Sequence, residues 1–334
     1  MIFFCQKNGS RMTMIPILQK AFALFLFRIY YCLSGQNGTP INMKRDVEHM
    51  ASLTEFCASG SKVTEQYLPT DTQVALRMIS FQPAQKSSNP PLIFVSGWIS
   101  LMAGWKEVLH EMTRDFQIFY LETREKNSSR VQGKVAYSVE ALGQDVVQVV
   151  NALNLKEKNY LLLGSSLGAT VILDCYRRLK QKPLALILVA PNAVFRVPWW
   201  GKMLIRLFYT QFYFVLKPFI KWYLRKFRLN VNSDPEQYRK YARALDAADP
   251  YKLKKAALAF ASYQVWEHLP AIDCPVLLVG GSADKLHEPQ NLQKIRHLLP
   301  EVTYIDLQTN KRAHTALLVK EIRTFLKKLG ESRA

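Results

Sequence analysis

Residues 159–170 read NYLLLGSSLGAT, and the fold turns on how that stretch is taken. Tyr160 to Leu163 form an apolar run suited to a strand buried on both faces. A turn of small residues follows, and residues 169–180 have the composition of a helix. Gly164, Ser166 and Gly168 make G-x-S-x-G in a strand-to-helix context, which is the context that pattern needs in order to mean chemistry. A serine hydroxyl is a weak nucleophile. An enzyme that uses one must lift it clear of the sheet, where a base can reach it and backbone N–H groups can meet a developing oxyanion. Ser165 lies one place too early for that role. Two readings of the pentapeptide stand at this point: a plain glycine-bearing turn, or a nucleophile elbow centred on Ser166.

Working outward, residues 62–68 and 73–81 alternate like a hairpin around a turn at Pro69, Thr70 and Asp71. Residues 91–95, PLIFV, predict a buried strand closed by Ser96-Gly97-Trp98. Helical periodicity around 105–112, a strand at 117–121, a polar loop over 122–133 and a helix from about 139 to 153 capped by Ser138 lead into the elbow strand. After the elbow helix come a strand at 184–190, then a strand at 275–279, a helix at 288–298, a strand at 302–307 and a helix at 316–329. Strands alternating with helices imply an α/β fold, a mostly parallel sheet flanked by helices. Residues 195–269 interrupt the alternation with helical patterns and no strand, so they read as an inserted helical cap. The expected organisation is an N-terminal hydrophobic segment over 1–60, a core from 61–194 and 270–334, and a cap, or lid, over 195–269.

Charge is unevenly distributed. Lys and Arg number 45 against 26 Asp and Glu, a net charge of +19. Between Cys175 and Ser233 there is no acidic residue, while twelve cations are present. Lys202 and Arg206, then Lys217, Lys221, Arg225 and Arg228, recur at helical spacing beside Trp199, Trp200, Phe208, Phe214, Phe219 and Trp222, with Pro218 expected to break or kink the helix between them. A basic stripe beside an aromatic face fits a helix lying at an anionic membrane surface; it equally fits a lid whose apolar face covers a site. No nucleic acid-binding module accompanies the charge, so nucleic acid is not an expected partner. Residues 15–33 are mostly apolar but carry Lys20 and Arg28, which is short of a spanning helix. Membrane anchor, cleaved secretion signal and packing helix all remain open for them, as does a start at a later methionine. Five scattered cysteines without paired spacing imply neither a disulfide framework nor a metal site, and Cys175 and Cys274 read as core fillers.

A serine nucleophile needs a base, and the base an orienting acid. Asp284 follows strand 275–279, and His314 follows strand 302–307. Both therefore fall at the carboxyl edge of the sheet, in the order Ser166, Asp284, His314. His287, His268 and His297 are rivals for the base, but His287 adjoins Asp284 and the other two fall in helical patterns. The G-x-S-x-G elbow and this order resemble the α/β-hydrolase superfamily over about residues 61–329.

The resemblance implies Ser166 as nucleophile, His314 as general base and then acid, and Asp284 as the group that sets the imidazole tautomer. It implies an oxyanion hole from the backbone N–H groups of Leu167 and Trp98. Ser96-Gly97 stands where many members have His-Gly, and Glu122, Thr123, Arg124 and Ser128 resemble a D-x-R-G-x-G-x-S loop without its glycines. The expected activity is hydrolysis of a carboxylic ester of a lipophilic substrate through an acyl-enzyme on Ser166, with the protein membrane-associated and facing the cytoplasm. No metal or organic cofactor is implied. C–C hydrolase, thioesterase and acyltransferase chemistry use the same triad, and a non-catalytic membrane-binding or ligand-sensing protein on the same scaffold is the alternative from another class.

Overall fold

The computed structural model describes residues 53–195, 197, 199–229, 231, 235–283 and 289–331. Among these residues nine strands form one sheet: β1 (Lys62–Asp71), β2 (Val74–Gln82), β3 (Leu92–Val95), β4 (Ile118–Glu122), β5 (Arg130–Val131), β6 (Leu161–Ser165), β7 (Ala185–Val189), β8 (Val276–Gly280) and β9 (Val302–Asp306). The order is β1-β2-β4-β3-β6-β7-β8-β9, with β5 pairing β2. The β1–β2 hairpin and the β2–β4 pair are antiparallel, and every pair from β4 to β9 is parallel. This is the predicted class, a mostly parallel sheet flanked by helices. The two-residue β5 lies inside what the sequence presents as a polar loop.

Strands β3, β6, β7 and β8 are buried along their whole length, as apolar runs covered on both faces must be. Helices cover them: α1 (Lys106–Met112), α2 (Val139–Ala152), α3 (Leu167–Cys175), then α4 (Trp199–Leu207), α5 (Tyr213–Tyr223), α6 (Pro235–Ala247) and α7 (Pro250–Phe260) between β7 and β8, and finally α8 (Pro289–Leu298) and α9 (Ala316–Glu331). Ser138 caps α2 by accepting from the Ala141 N–H at 3.3 Å, and Val139, Leu142, Val146, Val149 and Val150 are buried beneath it. Each such aliphatic side chain contributes about 1.5–3 kcal/mol on full burial. Helix α3 is shorter than the sequence implies: it gives way after Cys175 to a 3₁₀ turn, Tyr176–Arg178.

The segment between β7 and β8 is helical, as expected, apart from one bridge between Val194 and Gln264 at its base. Helix α5 is not broken at Pro218; it runs through the proline and ends in a π-turn, Leu224–Arg228. The basic stripe is also less isolated than its sequence reads, because Asp246 on α6 pairs with Lys217 and Lys221, each at 2.8 Å. Residues 15–33 lie outside the described residues. Among the described residues, no helix is long and apolar enough to cross a membrane.

Candidate active site

Because β3, β4, β6, β7, β8 and β9 run parallel, the loops leaving their carboxyl ends gather on one edge of the sheet. Ser166 is at the centre. It joins β6 to α3 with φ 51° and ψ −117°, a left-handed backbone that a residue with a Cβ adopts only when its surroundings enforce it. The surroundings do enforce it. The Ser166 N–H donates to the Val189 carbonyl at 2.9 Å, and its own carbonyl accepts from the Thr170 N–H at 3.1 Å. The two glycines let strand and helix pass closely: a Cβ on Gly164 would lie 2.6 Å from the Ala169 backbone, and one on Gly168 would lie 2.0 Å from the Val95 carbonyl oxygen.

The Asn192 side-chain amide donates to Ser166 Oγ at 2.9 Å, and the Asn192 carbonyl accepts from Thr170 Oγ1 at 2.8 Å. Asn192 follows β7, and its part in the site had no signal in the sequence beyond a position at a strand's carboxyl end. Leu167 is the first residue of α3, so its N–H has no intrahelical acceptor. Trp98 lies in the loop after β3. That loop packs directly on the serine, since a Cβ at Gly97 would sit 3.3 Å from Ser166 Cβ. Leu167 and the loop that carries Trp98 thus both adjoin Ser166.

His314 ends a 3₁₀ turn, Arg312–His314, just before α9. Its ring packs on Trp105 with centroids 4.0 Å apart and planes tilted by 36°. Nδ1 lies 2.8 Å from the Asn310 carbonyl, which can only accept, so Nδ1 carries the proton and Nε2 the lone pair. That is the tautomer a general base needs. Nε2 meets the Lys240 ammonium, from α6, at 2.5 Å. Lys240 was not singled out from the sequence; it is 74 positions from His314 and its stem lies against Gly104, where a Cβ would come within 2.7 Å of its Cε. Asp284 and the rival His287 lie outside the described residues. His268 is elsewhere, with Nε2 3.4 Å from Asp174 and its ring stacked on Tyr263, and His297 is exposed on α8.

The loop after β4 is dense with buried polar groups. Arg124 grips Asp145 with two hydrogen bonds of 2.7 Å and donates a third to the Ala136 carbonyl at 2.9 Å. The structural serine of this loop is Ser129 rather than Ser128: its Oγ donates to the Glu122 carbonyl at 2.7 Å and accepts from the Arg77 N–H at 3.1 Å. Lys126 is buried and donates to the carbonyls of Gly97 and Ser100. Burial pushes its ammonium down from the ordinary lysine range, against the pull of Glu125 and Glu122. Burial likewise raises the Glu125 carboxyl, opposed by Lys126 and by a hydrogen bond from Thr123. Burial pushes the Cys175 thiol up to about 12 and the Cys274 thiol to about 11, as inert core cysteines require. Among the described residues, no group of three or more His, Cys, Asp or Glu side chains could hold a metal ion.

A cavity of about 430 Å³ opens at the base of the helical segment, lined by Val194, Phe195, Val197, Ala261, Ser262 and Trp266 among others. Phe195 packs on Phe260 with ring centroids 5.4 Å apart, and Phe260 meets the Trp98 ring edge to face at 5.4 Å. A run of packed aromatic rings therefore links the Trp98 turn to the cavity wall.

The family model for serine aminopeptidase, S33, matches residues 92–305. No curated protein sequence matches the chain. Among solved structures, a thermophilic esterase from Thermogutta terrifontis superposes with a TM-score of 0.64 at 22% identity, over 80% of this chain and 99% of that one. A putative lipase from Acinetobacter baumannii gives 0.62 at 17% identity over 89% and 100%, and an esterase from a Rhodococcus species 0.59 at 20% over 80% and 99%. At these identities the likeness speaks for the fold.

Proposed function

The chain belongs to the serine aminopeptidase S33 family of α/β hydrolases, and we propose that within it the protein is a serine hydrolase cleaving a carboxylic ester of a lipophilic substrate. The observation that carries this reading is the left-handed Ser166, held between the first N–H of α3 and the Trp98 turn. Strain of that kind is kept where a hydroxyl must stand proud of the sheet. In the proposed reaction Ser166 Oγ bonds to the acyl carbon while its proton passes to His314 Nε2. The N–H groups of Leu167 and Trp98 receive the negative charge on the former carbonyl oxygen. Collapse breaks the bond to the alcohol, which leaves with the proton from Nε2. Water then attacks the acyl-enzyme, gives a proton to Nε2, and Ser166 departs as the free hydroxyl. Asp284 is assigned to orient the imidazole, with the Asn310 carbonyl supporting the same tautomer.

Residues 195–269 are assigned as a cap over the core formed by 61–194 and 270–334. The cavity beside Phe195 is of a size for an acyl chain. On the cap's outer side Trp199, Leu207, Phe214, Phe219, Trp222 and Phe227 are exposed, with Arg206, Arg225 and Lys226 exposed among them. Exposed rings bordered by cations match the acyl and headgroup layers of an anionic bilayer, so membrane association through this face is part of the proposal. A cytoplasmic orientation accords with the free thiols of Cys57, Cys175 and Cys274.

Labelling with a fluorophosphonate probe and turnover of a p-nitrophenyl ester series test the chemistry. Ser166→Ala removes both on this reading, and a Ser166→Ala protein that still labels refutes it. Flotation with phosphatidylserine vesicles, weakening as salt rises, tests the membrane face; equal flotation with neutral vesicles argues against it.

A further inference from the structure

The loop that carries the Trp98 donor is a tight turn in an unfavourable conformation. The Ser100 N–H closes it on the Gly97 carbonyl at 3.1 Å, and Ile99 sits at φ 49°. A β-branched residue avoids the left-handed region, so this turn does not hold its shape by local preference. Something outside it must. One buried ammonium bonds both ends: Lys126 Nζ donates to the Gly97 carbonyl at 2.8 Å and to the Ser100 carbonyl at 2.6 Å.

The consequence follows from peptide geometry. In a trans peptide, the carbonyl of one residue and the N–H of the next point in opposite directions. Drawing the Gly97 oxygen towards Lys126 therefore turns the Trp98 N–H away from Lys126. The Gly97 side of this peptide rests on the elbow: a Cβ there would lie 3.1 Å from the Ser165 carbonyl oxygen and 3.3 Å from Ser166 Cβ. No hydrogen bond within the described residues takes up the Trp98 N–H. We propose that Lys126 is the positioning residue of the oxyanion hole, holding the Gly97–Trp98 peptide so that its N–H stays aimed at the substrate oxygen.

The surroundings of Lys126 are built for that job. Its own N–H donates to the Thr123 carbonyl at 3.0 Å. Its carbonyl and that of Ser129 each accept from Lys252 Nζ at 2.7 Å. Lys252 is itself buried, on α7, the helix whose Phe260 abuts the Trp98 ring. The helical segment thus bears on the oxyanion turn in two ways, through Lys252 on the Lys126 carbonyl and Phe260 on the Trp98 ring. Burying two ammonium groups against carbonyls is costly where an apolar side chain could fill the space, and the geometry they impose on one peptide plane is what that cost secures. This loop is also where the chain departs from the D-x-R-G-x-G-x-S pattern it resembles, with Glu125 and Asn127 in place of the glycines on either side of Lys126.

The inference rests on the ester-hydrolase reading, and its experiment separates the two. Wild type, Lys126→Met and Lys126→Arg are titrated with a fluorophosphonate, so that rates refer to active sites. Lys126→Met is expected to lower kcat on p-nitrophenyl esters about 100-fold, the loss typical of one oxyanion donor. KM stays within about threefold, and affinity for an alkyl trifluoromethyl ketone, which forms a tetrahedral adduct, falls in parallel with kcat. Lys126→Arg keeps donors in place and recovers part of the loss. A merely structural role would lower the melting temperature and the titratable fraction and leave kcat per site unchanged, and that result overturns the proposal. Should Lys126→Met not fold, Lys252→Met removes the two hydrogen bonds behind the clasp and is expected to lower kcat about fivefold at constant KM; an unchanged kcat there overturns it too. A wild-type protein that neither labels nor turns over esters overturns both readings at once.

Discussion

Replacing Gly168 with alanine tests how the elbow is held, and the structure sets the size of the effect. The new Cβ would be 2.0 Å from the Val95 carbonyl oxygen, 2.7 Å from its carbonyl carbon and 2.8 Å from the Ser96 oxygen. A carbon–oxygen contact relaxes at about 3.3 Å, so the two backbones must separate by about 1.3 Å. Val95 cannot supply that movement, because β3 is paired on both sides, with β4 and with β6. The start of α3 has to retreat instead, and it takes the Leu167 N–H with it. A displacement of about 1 Å at a reacting centre costs on the order of 100-fold in rate. Overpacking in the same place costs about 1–3 kcal/mol of stability. Gly168→Ala should therefore lose about 100-fold in kcat per titrated site on a p-nitrophenyl ester and melt several degrees lower by differential scanning fluorimetry. Gly330→Ala is the control, since nothing lies within 4 Å of its Cβ position near the end of α9. It should leave kcat unchanged and stabilise by at most about 1 kcal/mol. A Gly168→Ala enzyme with wild-type kcat and melting temperature would refute the reasoning that backbone contact at this point places the oxyanion donor.

Three further outcomes follow from the same geometry. On the proposed mechanism Lys240 Nζ occupies the lone pair of His314 Nε2 that receives the serine proton, so Lys240→Met should raise kcat by about 10- to 150-fold, the worth of one hydrogen bond from a charged group; a fall in kcat per titrated site would show that Lys240 assists the reaction instead. Asn192→Ala removes the amide that fixes Ser166 Oγ and should lower kcat about fivefold without changing the melting temperature, a split that stopped-flow acylation and thermal melts would read directly. Burial pushes the Asp306 carboxyl up, but hydrogen bonds from the N–H groups of Ser282 and Gln308 outweigh it and hold the group below its ordinary range. A depressed carboxylate contributes stability that is complete above its unfolded pKa, about 3.9, and lost as pH falls through the lower folded value. The melting-temperature gap between wild type and Asp306→Asn should accordingly be open at pH 6 and close below about pH 3; a gap that widens on acidification contradicts the assignment.

How much of this was legible in the sequence depended on whether the signal was local. Residues 160–163 are apolar without interruption because β6 is buried on both faces, and that alone announces a central parallel strand. Ser138 and the valines behind it declare α2 in the same way, through a cap and a repeat. Ser166 could be picked over Ser165 because the flanking glycines are spaced for a strand and a helix crossing at contact distance. The misreadings share a different cause. Ser129 and Ser128 are adjacent, and the reading of Ser128 missed by one place the spacing from Glu122, which puts the pattern's serine at 129, where its Oγ reaches the Glu122 carbonyl. The strand Arg130–Val131 is too short to show a period, and exists because β2 offers it a partner at Val74 and Ala75. Pro218 removes one N–H from the α5 ladder, and the helix continues through it all the same. Asp246 stands outside the acid-free run and yet pairs with two of its lysines, so composition along the chain overstated the bare charge of the face. The groups that touch the site most intimately, Asn192, Lys240 and Lys126, were the least legible. Each acts on an atom at least 26 positions away, through a single long or amide side chain with no period to give it away. The helical segment is thus tied to the chemistry at two atoms, His314 Nε2 through Lys240 on α6 and the Lys126 carbonyl through Lys252 on α7. On the proposed mechanism Lys240 must leave Nε2 for Ser166 to be deprotonated, while Lys252 must stay for the Trp98 turn to hold, and rotation of the long Lys240 side chain is the smallest change that makes the base available without loosening the oxyanion hole.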